Sequence, residues 1–229
     1  MVVTVRFASR IAAGVTGAWA LPVGLISLDI SARGVESGLP GAIIPGWQLS
    51  LMDAGAELRW PNLLGNFCRS ARQFEKPYWT PDKADVGEAT SALRVFLDAR
   101  SAILDDAMLR AVASDAACDT AMDIWKSRHP VCELLRHDTP VHREWLEAWD
   151  ACLAAVVQSR LGSYRAQYLG VSRNGHRAVY INGYCDPDLG GLVERLGLYD
   201  IVDGSTCYFH AYYNSETREI EEFWVNGEA

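Results

Sequence analysis

The sequence has no Cys-x-x-Cys pair, no Gly-x-Ser-x-Gly, no His-Glu-x-x-His and no glycine-rich phosphate loop. These absences remove the short signatures of a structural zinc site, a nucleophile-elbow hydrolase, a zinc protease and a nucleotide cradle. Clustered basic charge is missing as well. The 21 Lys and Arg are scattered, and the formal net charge is -8. A phosphate backbone needs cations gathered on one face, so nucleic acid is not an expected partner. Internal repeats and low-complexity tracts are also absent. What remains is an ordinary globular composition, 49% hydrophobic and 22% charged over 229 residues, enough to bury a substantial core.

Charge is also lacking locally, from Ile11 to Leu28, between Arg6 and Arg10 on one side and Asp29 and Arg33 on the other. A positive start followed by an apolar run reads as a signal peptide or N-terminal anchor over 1–36, with Ala18-Trp19-Ala20 resembling a cleavage site. Gly14, Gly17, Pro22 and Gly24 weaken it as a helix, and a buried apolar segment is the alternative. The next segment, 37–79, holds Gly38, Pro40, Gly41, Pro45 and Gly46, and reads as an irregular linker. A domain over 80–229 follows.

Thr80-Pro81 looks like an N-cap and first helical residue, followed by Val86, Ala89, Leu93, Phe96 and Leu97 at helical spacing. The stripe extends through Ile103, Leu104, Met108, Ala111 and Val112, with a break near 98–101. A short helix is expected over 118–126. Thr139-Pro140 opens another, with Val141, Trp145, Trp149, Cys152 and Val156 on one face and Gly162 as its stop.

The period then changes from 3.6 to 2. Asn174-Gly175 between two β-rich runs predicts a type I′ hairpin with Arg173 opposite His176, Val171 opposite Ala178, Leu169 opposite Tyr180 and Gln167 opposite Asn182. That register puts Tyr164, Ala166, Tyr168, Val179, Ile181 and Cys185 on one face, and Arg165, Gln167, Arg173, His176 and Asn182 on the other. A second hairpin is expected from 206–213 and 219–226. The fold class is therefore α+β: a helical layer on a four-stranded antiparallel sheet made of two hairpins, with a helical insertion over about 101–160 and a β module over 164–229.

Several constellations could carry chemistry. His129, Cys132, His137 and His142 lie close in sequence but match no standard zinc spacing, so an interhelical loop is the expected role and no metal is assigned. Cys207 and His210 suggest a thiol dyad, yet residues three apart on a strand point to opposite faces. The Asp186-Pro187-Asp188 and Asp203-Gly204 tips are explained by turn chemistry. Glu219, Glu221 and Glu222 read as a solvated guard on the last strand. Six cysteines allow about fifteen full pairings; Cys185 and Cys207, ending and opening adjacent strands on the core side, are the disulfide candidate. Tyr208, His210 and Tyr212 share the outer face of the second hairpin, Trp224 joins them if the turn sets that register, and these four are the candidate partner-binding residues. The alternative is that the segment Trp47 to Trp60 covers them, in which case the partner surface lies on the inserted helices.

Tyr78-Trp79-Thr80-Pro81, the run Gln167 to Cys185, the stretch Val202-Asp203-Gly204 to Tyr208-Phe209, and the terminal Val225-Asn226-Gly227-Glu228-Ala229 resemble a group of uncharacterised bacterial envelope proteins, many of them small lipoproteins. The resemblance covers roughly 90 residues and implies envelope location and fold, without catalytic residues to carry over. The chain departs from it in lacking a lipobox cysteine and in the insertion between Ser101 and Arg160. Helix and four strands also resemble cystatin-like and NTF2-like architectures, by analogy. The expectation is a non-catalytic envelope protein that binds another protein, as an inhibitor or toxin-immunity factor. It needs no cofactor, meets the membrane only through its N-terminal segment, and is periplasmic or anchored to the inner membrane. The alternatives are an NTF2-like enzyme with a pocket between helix and sheet, or a structural component of envelope assembly.

Overall fold

The structure is a computed structural model that describes residues 39–53, 74–115, 117–129, 139–185, 198 and 205–226. The expected leader over 1–36, Trp60, Cys68, Cys132, His137, and the loops at 186–190 and 203–204 lie outside the described residues. Among the described residues, five helices and a six-stranded, mostly antiparallel sheet make a mixed α+β fold. The strands are β1 (Gly41–Ile44), β2 (Glu75–Trp79), β3 (Arg165–Arg173), β4 (His176–Tyr184), β5 (Tyr208–Asn214) and β6 (Glu219–Val225), in the order β1-β3-β4-β5-β6 with β2 also pairing β3.

Strands β3 (Arg165–Arg173) and β4 (His176–Tyr184) form the central hairpin. Asn174 and Gly175 both take positive φ, 49° and 84°, which is what a two-residue turn matched to right-handed strand twist requires. The observed pairs include Arg173 with His176, Leu169 with Tyr180 and Gln167 with Asn182, the register expected from the turn. Strands β5 (Tyr208–Asn214) and β6 (Glu219–Val225) form the second hairpin, with Asn214 Oδ1 accepting from the amides of Glu216 and Thr217 at 2.7 and 3.1 Å to shape the turn.

The sheet has two more strands than expected, and both fall in the segment read as an irregular linker. Strand β1 (Gly41–Ile44) runs parallel to the first half of β3, Gly41 opposite Ala166 and Ile44 opposite Leu169. Strand β2 (Glu75–Trp79) runs antiparallel to the second half. Between them, α1 (Gly46–Asp53) starts directly after Pro45, whose carbonyl accepts from the amides of Gln48 and Leu49. The glycines here serve close backbone approach, not looseness. A Cβ on Gly41 would sit 1.7 Å from the Ala166 carbonyl oxygen, and one on Gly46 would sit 2.8 Å from the Trp79 backbone.

Helix α2 (Lys83–Ser101) begins two residues later than the expected Thr80 cap. Asp82 is the N-cap, in a reciprocal capping box with Asp85. Thr80 is occupied elsewhere, its hydroxyl accepting from the Gly46 amide at 2.9 Å. Helix α2 breaks at Ala102 to Asp105 and is followed by α3 (Asp106–Asp115) and α4 (Asp119–Ser127). Helix α5 (Pro140–Ser159) is capped by Thr139, which accepts from His142 N at 3.1 Å, with Pro140 in the first turn. Gly162, expected as its left-handed stop, lies in a separate 3-10 turn, Leu161–Ser163, after an Arg160 cap.

Three apolar clusters organise the described residues. Val86, Ala89, Leu93 and Leu97 of α2 press on Tyr168, Val179, Ile181, Phe209, Ala211 and Tyr213 from one sheet face. Met108, Val112, Met122, Trp125, Ala151, Cys152 and Ala155 make a second core among α3, α4 and α5, so the insertion carries its own interior. Ile44, Leu49, Phe74 and Leu198 close over Leu169, Val171, Ala178 and Tyr180 on the opposite sheet face. Among the described residues two disulfides cross the fold: Cys118–Cys152 binds the start of α4 to α5 with Cα atoms 5.8 Å apart, and Cys185–Cys207 binds the end of β4 to the start of β5 at 5.1 Å. No helix among the described residues is long and apolar enough to cross a membrane.

Candidate functional site

Register across the second sheet face aligns Gln167, Asn182, His210 and Trp224 in one row over β3, β4, β5 and β6. Asn182 Nδ2 donates to Gln167 Oε1 at 3.0 Å. His210 is held at both nitrogens, Nδ1 to the Tyr180 hydroxyl at 2.7 Å and Nε2 to Asn226 Oδ1 at 2.8 Å. With the Asn226 oxygen as acceptor, Nε2 carries the proton, and a neutral ring leaves Nδ1 to accept from Tyr180. The imidazole also stacks on Trp224, centroids 4.9 Å apart. Such a row fixes side chains by mutual hydrogen bonding in a low-dielectric layer.

Burial changes the meaning of the four residues expected to project from this face. His210 is 2% exposed and Tyr208 7%. Tyr212 is half-buried, its ring covered by the Arg173 guanidinium 4.0 Å from the centroid, and Arg173 is in turn paired to Glu221 and Glu222. Leu49 of α1 lies in the cluster that packs on this face, within the stretch Trp47 to Trp60 named as the alternative cover. Tyr208 and His210 are thus interior residues, not anchors open to solvent. Cys207 is bonded to Cys185, so the Cys207 and His210 pair holds no thiolate. Among the described residues no group of His, Cys, Asp and Glu could hold a metal ion. His129 instead stacks on Trp125, ring centroids 3.7 Å apart.

A different surface collects partly exposed aromatic groups. On α5, His142, Trp145 and Trp149 stack in sequence, with ring separations of 6.0 and 5.9 Å. Leu146 projects beside them, 44% exposed. Helical spacing continues this strip to Leu153. There it meets α2 and β6 in a cleft of about 160 Å³ lined by Phe96, Arg100, Trp149, Asp150, Leu153 and the β6 residues 223–225. Phe96 and Phe223 lie 5.6 Å apart, and the Arg100 guanidinium sits 5.4 Å over the Phe96 ring. Desolvation raises the Asp150 carboxyl above the ordinary carboxylate pKa, against the opposing pull of Arg100. The side chain is solvent-exposed as a whole, so the desolvation reflects the cleft wall and not a buried position.

Trp224 borders this cleft along β6, but its ring packs on His210 on the opposite sheet face. Helical spacing alone puts Val141, Trp145, Trp149, Cys152 and Val156 on one face of α5 without saying which of them are covered. The signal that separates them is size. The buried positions of α5 include Ala148, Ala151, Cys152, Ala154 and Ala155, small residues that permit close packing, while the large rings stand at its margin. Comparison with protein-family models, with curated proteins and with solved structures finds no match to this chain.

Proposed function

We propose that the chain is a non-catalytic envelope protein that binds another protein, of the inhibitor or toxin-immunity kind, through the α5 strip and its cleft. The observation that carries this reading is the run of partly buried Trp145 and Trp149 with exposed Leu146 along α5, leading into a shallow cleft that Trp149 shares with Phe96 and Phe223. Contiguous apolar surface on a folded chain marks a place where something docks, and Trp is over-represented among the residues that dominate such contacts. Helix α2 lying across the two hairpins supports a cystatin-like or NTF2-like architecture, as analogy and with β1, β2 and the insertion as additions. The NTF2-like enzyme would need a hollow between helix and sheet. That layer is filled by Leu93, Leu97, Tyr168, Phe209 and Tyr213, all buried, which favours the binder. Two disulfides support a periplasmic or extracytoplasmic setting, since oxidising compartments are where such bonds persist.

The test is a photo-crosslinking amino acid placed at Leu146 and, as a control, at exposed Glu216 on the β5–β6 turn, in the full chain in its native cells. A discrete protein adduct from the Leu146 position alone is the expected result. No adduct, or the same adducts from both positions, would sink the reading.

A further inference from the structure

Within that protein-binding reading, we infer that the cleft between α2, α5 and β6 receives a basic side chain, a lysine or arginine presented by the partner. Three aromatic rings meet there, those of Phe96, Trp149 and Phe223, while Trp224 borders the cleft as the next residue of β6 with its ring on the opposite sheet face. Aromatic faces carry negative quadrupole density and attract cations, more strongly where water is partly excluded. The cleft already displays the interaction, because Arg100 lies over the Phe96 ring at 5.4 Å. Opposite that occupied ring, Trp149 and Asp150 are consecutive on α5 and form the other wall.

Asp150 makes no hydrogen bond or ion pair of its own among the described residues. Its carboxylate is left under-compensated, since desolvation outweighs the attraction of Arg100. A second cation entering between Trp149 and Asp150 would gain both a ring face and a counter-charge. An apolar anchor would gain only the rings, and an acidic one would meet Asp150 head-on. Charge complementarity extends beyond the cleft. Glu144, Glu147 and Asp150 stand on the exposed side of α5 against Arg143 alone, and the whole chain carries a net charge of -8. Field of that sign favours encounter with basic partners.

The probes are N-acetyl-lysine methylamide, its uncharged isostere N-acetyl-norleucine methylamide, and N-acetyl-glutamate methylamide, each titrated into the full chain. The readout is the set of tryptophan indole N–H resonances in 1H–15N spectra. Saturable shifts of the Trp149 signal with the lysine compound are expected, with tenfold weaker binding of the norleucine compound and none of the glutamate compound. Asp150→Asn should weaken lysine binding by about tenfold, while the indole signals of buried Trp125 stay in place to show an intact fold. The lysine-to-norleucine comparison stands on the unaltered chain should the variant misfold. Equal binding of lysine and norleucine, preference for glutamate, or no saturable shift would each overturn the inference. Those outcomes leave the docking reading untouched if the Leu146 crosslink still forms, whereas loss of that crosslink fails the broader reading itself.

Discussion

An added methyl at Gly41 would lie 1.7 Å from the carbonyl oxygen of Ala166, and one at Gly170 would lie 2.4 Å from that of Trp79. Both obstacles are backbone, which cannot rotate away as a side-chain tip can. Gly41→Ala should therefore cost about 1–3 kcal/mol in urea unfolding, as overpacking does. Gly162→Ala, with nothing within 4 Å of its Cβ, should change stability little. A Gly41 variant as stable as the parent would mean that β1 does not pair β3. Two tyrosines set a second residue-scale expectation. Burial pushes the Tyr164 and Tyr213 hydroxyls up to about 12, Tyr213 with the added push of Glu88, to which it donates at 3.0 Å. The Tyr213 ring is wholly buried while its hydroxyl reaches the rim of α2. A folded-state pKa above the unfolded value near 10 means that the unfolded chain releases its proton first as pH rises. Stability from these groups is thus intact below about pH 10 and is lost between about 10 and 12. Phenolate absorbance at 295 nm followed with unfolding should show these two titrating late; normal titration of every tyrosine in the folded chain would contradict it.

At the scale of elements, the cross-links divide the work between the inserted helices and the sheet. Cys118–Cys152 closes a separation of 34 residues and Cys185–Cys207 one of 22. Loop-closure entropy gives each bridge a contribution of about 3–4 kcal/mol. Reduction should lower the melting temperature, and the denatured, unreduced chain should show at most two free thiols of its six cysteines. Six free thiols in native material would remove the bridges and with them the support for an oxidising compartment. Elements differed in how far they could be read in advance. The β3–β4 register was legible because Asn174-Gly175 is a local signal: the two residues that set the turn sit between the strands they align. The α5 start was legible for the same reason, with Thr139 and Pro140 adjacent to the helix they cap. Strands β1 and β2 were not, because their partner β3 lies about 125 and more than 90 residues away, respectively. The glycines that permit close approach there are the same residues that mark loops. The α2 cap was misplaced for a tertiary reason, since Thr80 spends its hydroxyl on the Gly46 amide and leaves capping to Asp82.

For the whole molecule, the question is which of two aromatic collections faces a partner. Periodicity reports that Trp145 and Trp149 share the apolar side of a helix, but not that they stand at its uncovered margin. Alternation likewise reports that Tyr208, His210 and Tyr212 share a sheet face, but not that Leu49, Phe74 and Leu198 lie in the packing on that side. Coverage depends on segments remote in sequence, so neither pattern could decide it. Paired substitutions separate the two. Leu146→Asp puts a charge on an exposed position of the α5 strip, where stability should move by no more than about 0.5 kcal/mol. Partner capture, followed by the crosslink from a photo-reactive residue at Trp145, should fall sharply. Tyr208→Ala empties a buried ring site and should cost about 3 kcal/mol of stability, as large-to-small changes of core aromatics do. It should leave capture by the remaining folded chains unchanged. The reverse pattern, capture lost with Tyr208→Ala at full stability and kept with Leu146→Asp, would return the partner surface to the outer face of the second hairpin. Helix α5 would then serve only as the lid on the inserted core, with Trp145 and Trp149 sealing its edge against Met122 and Trp125 rather than meeting another protein.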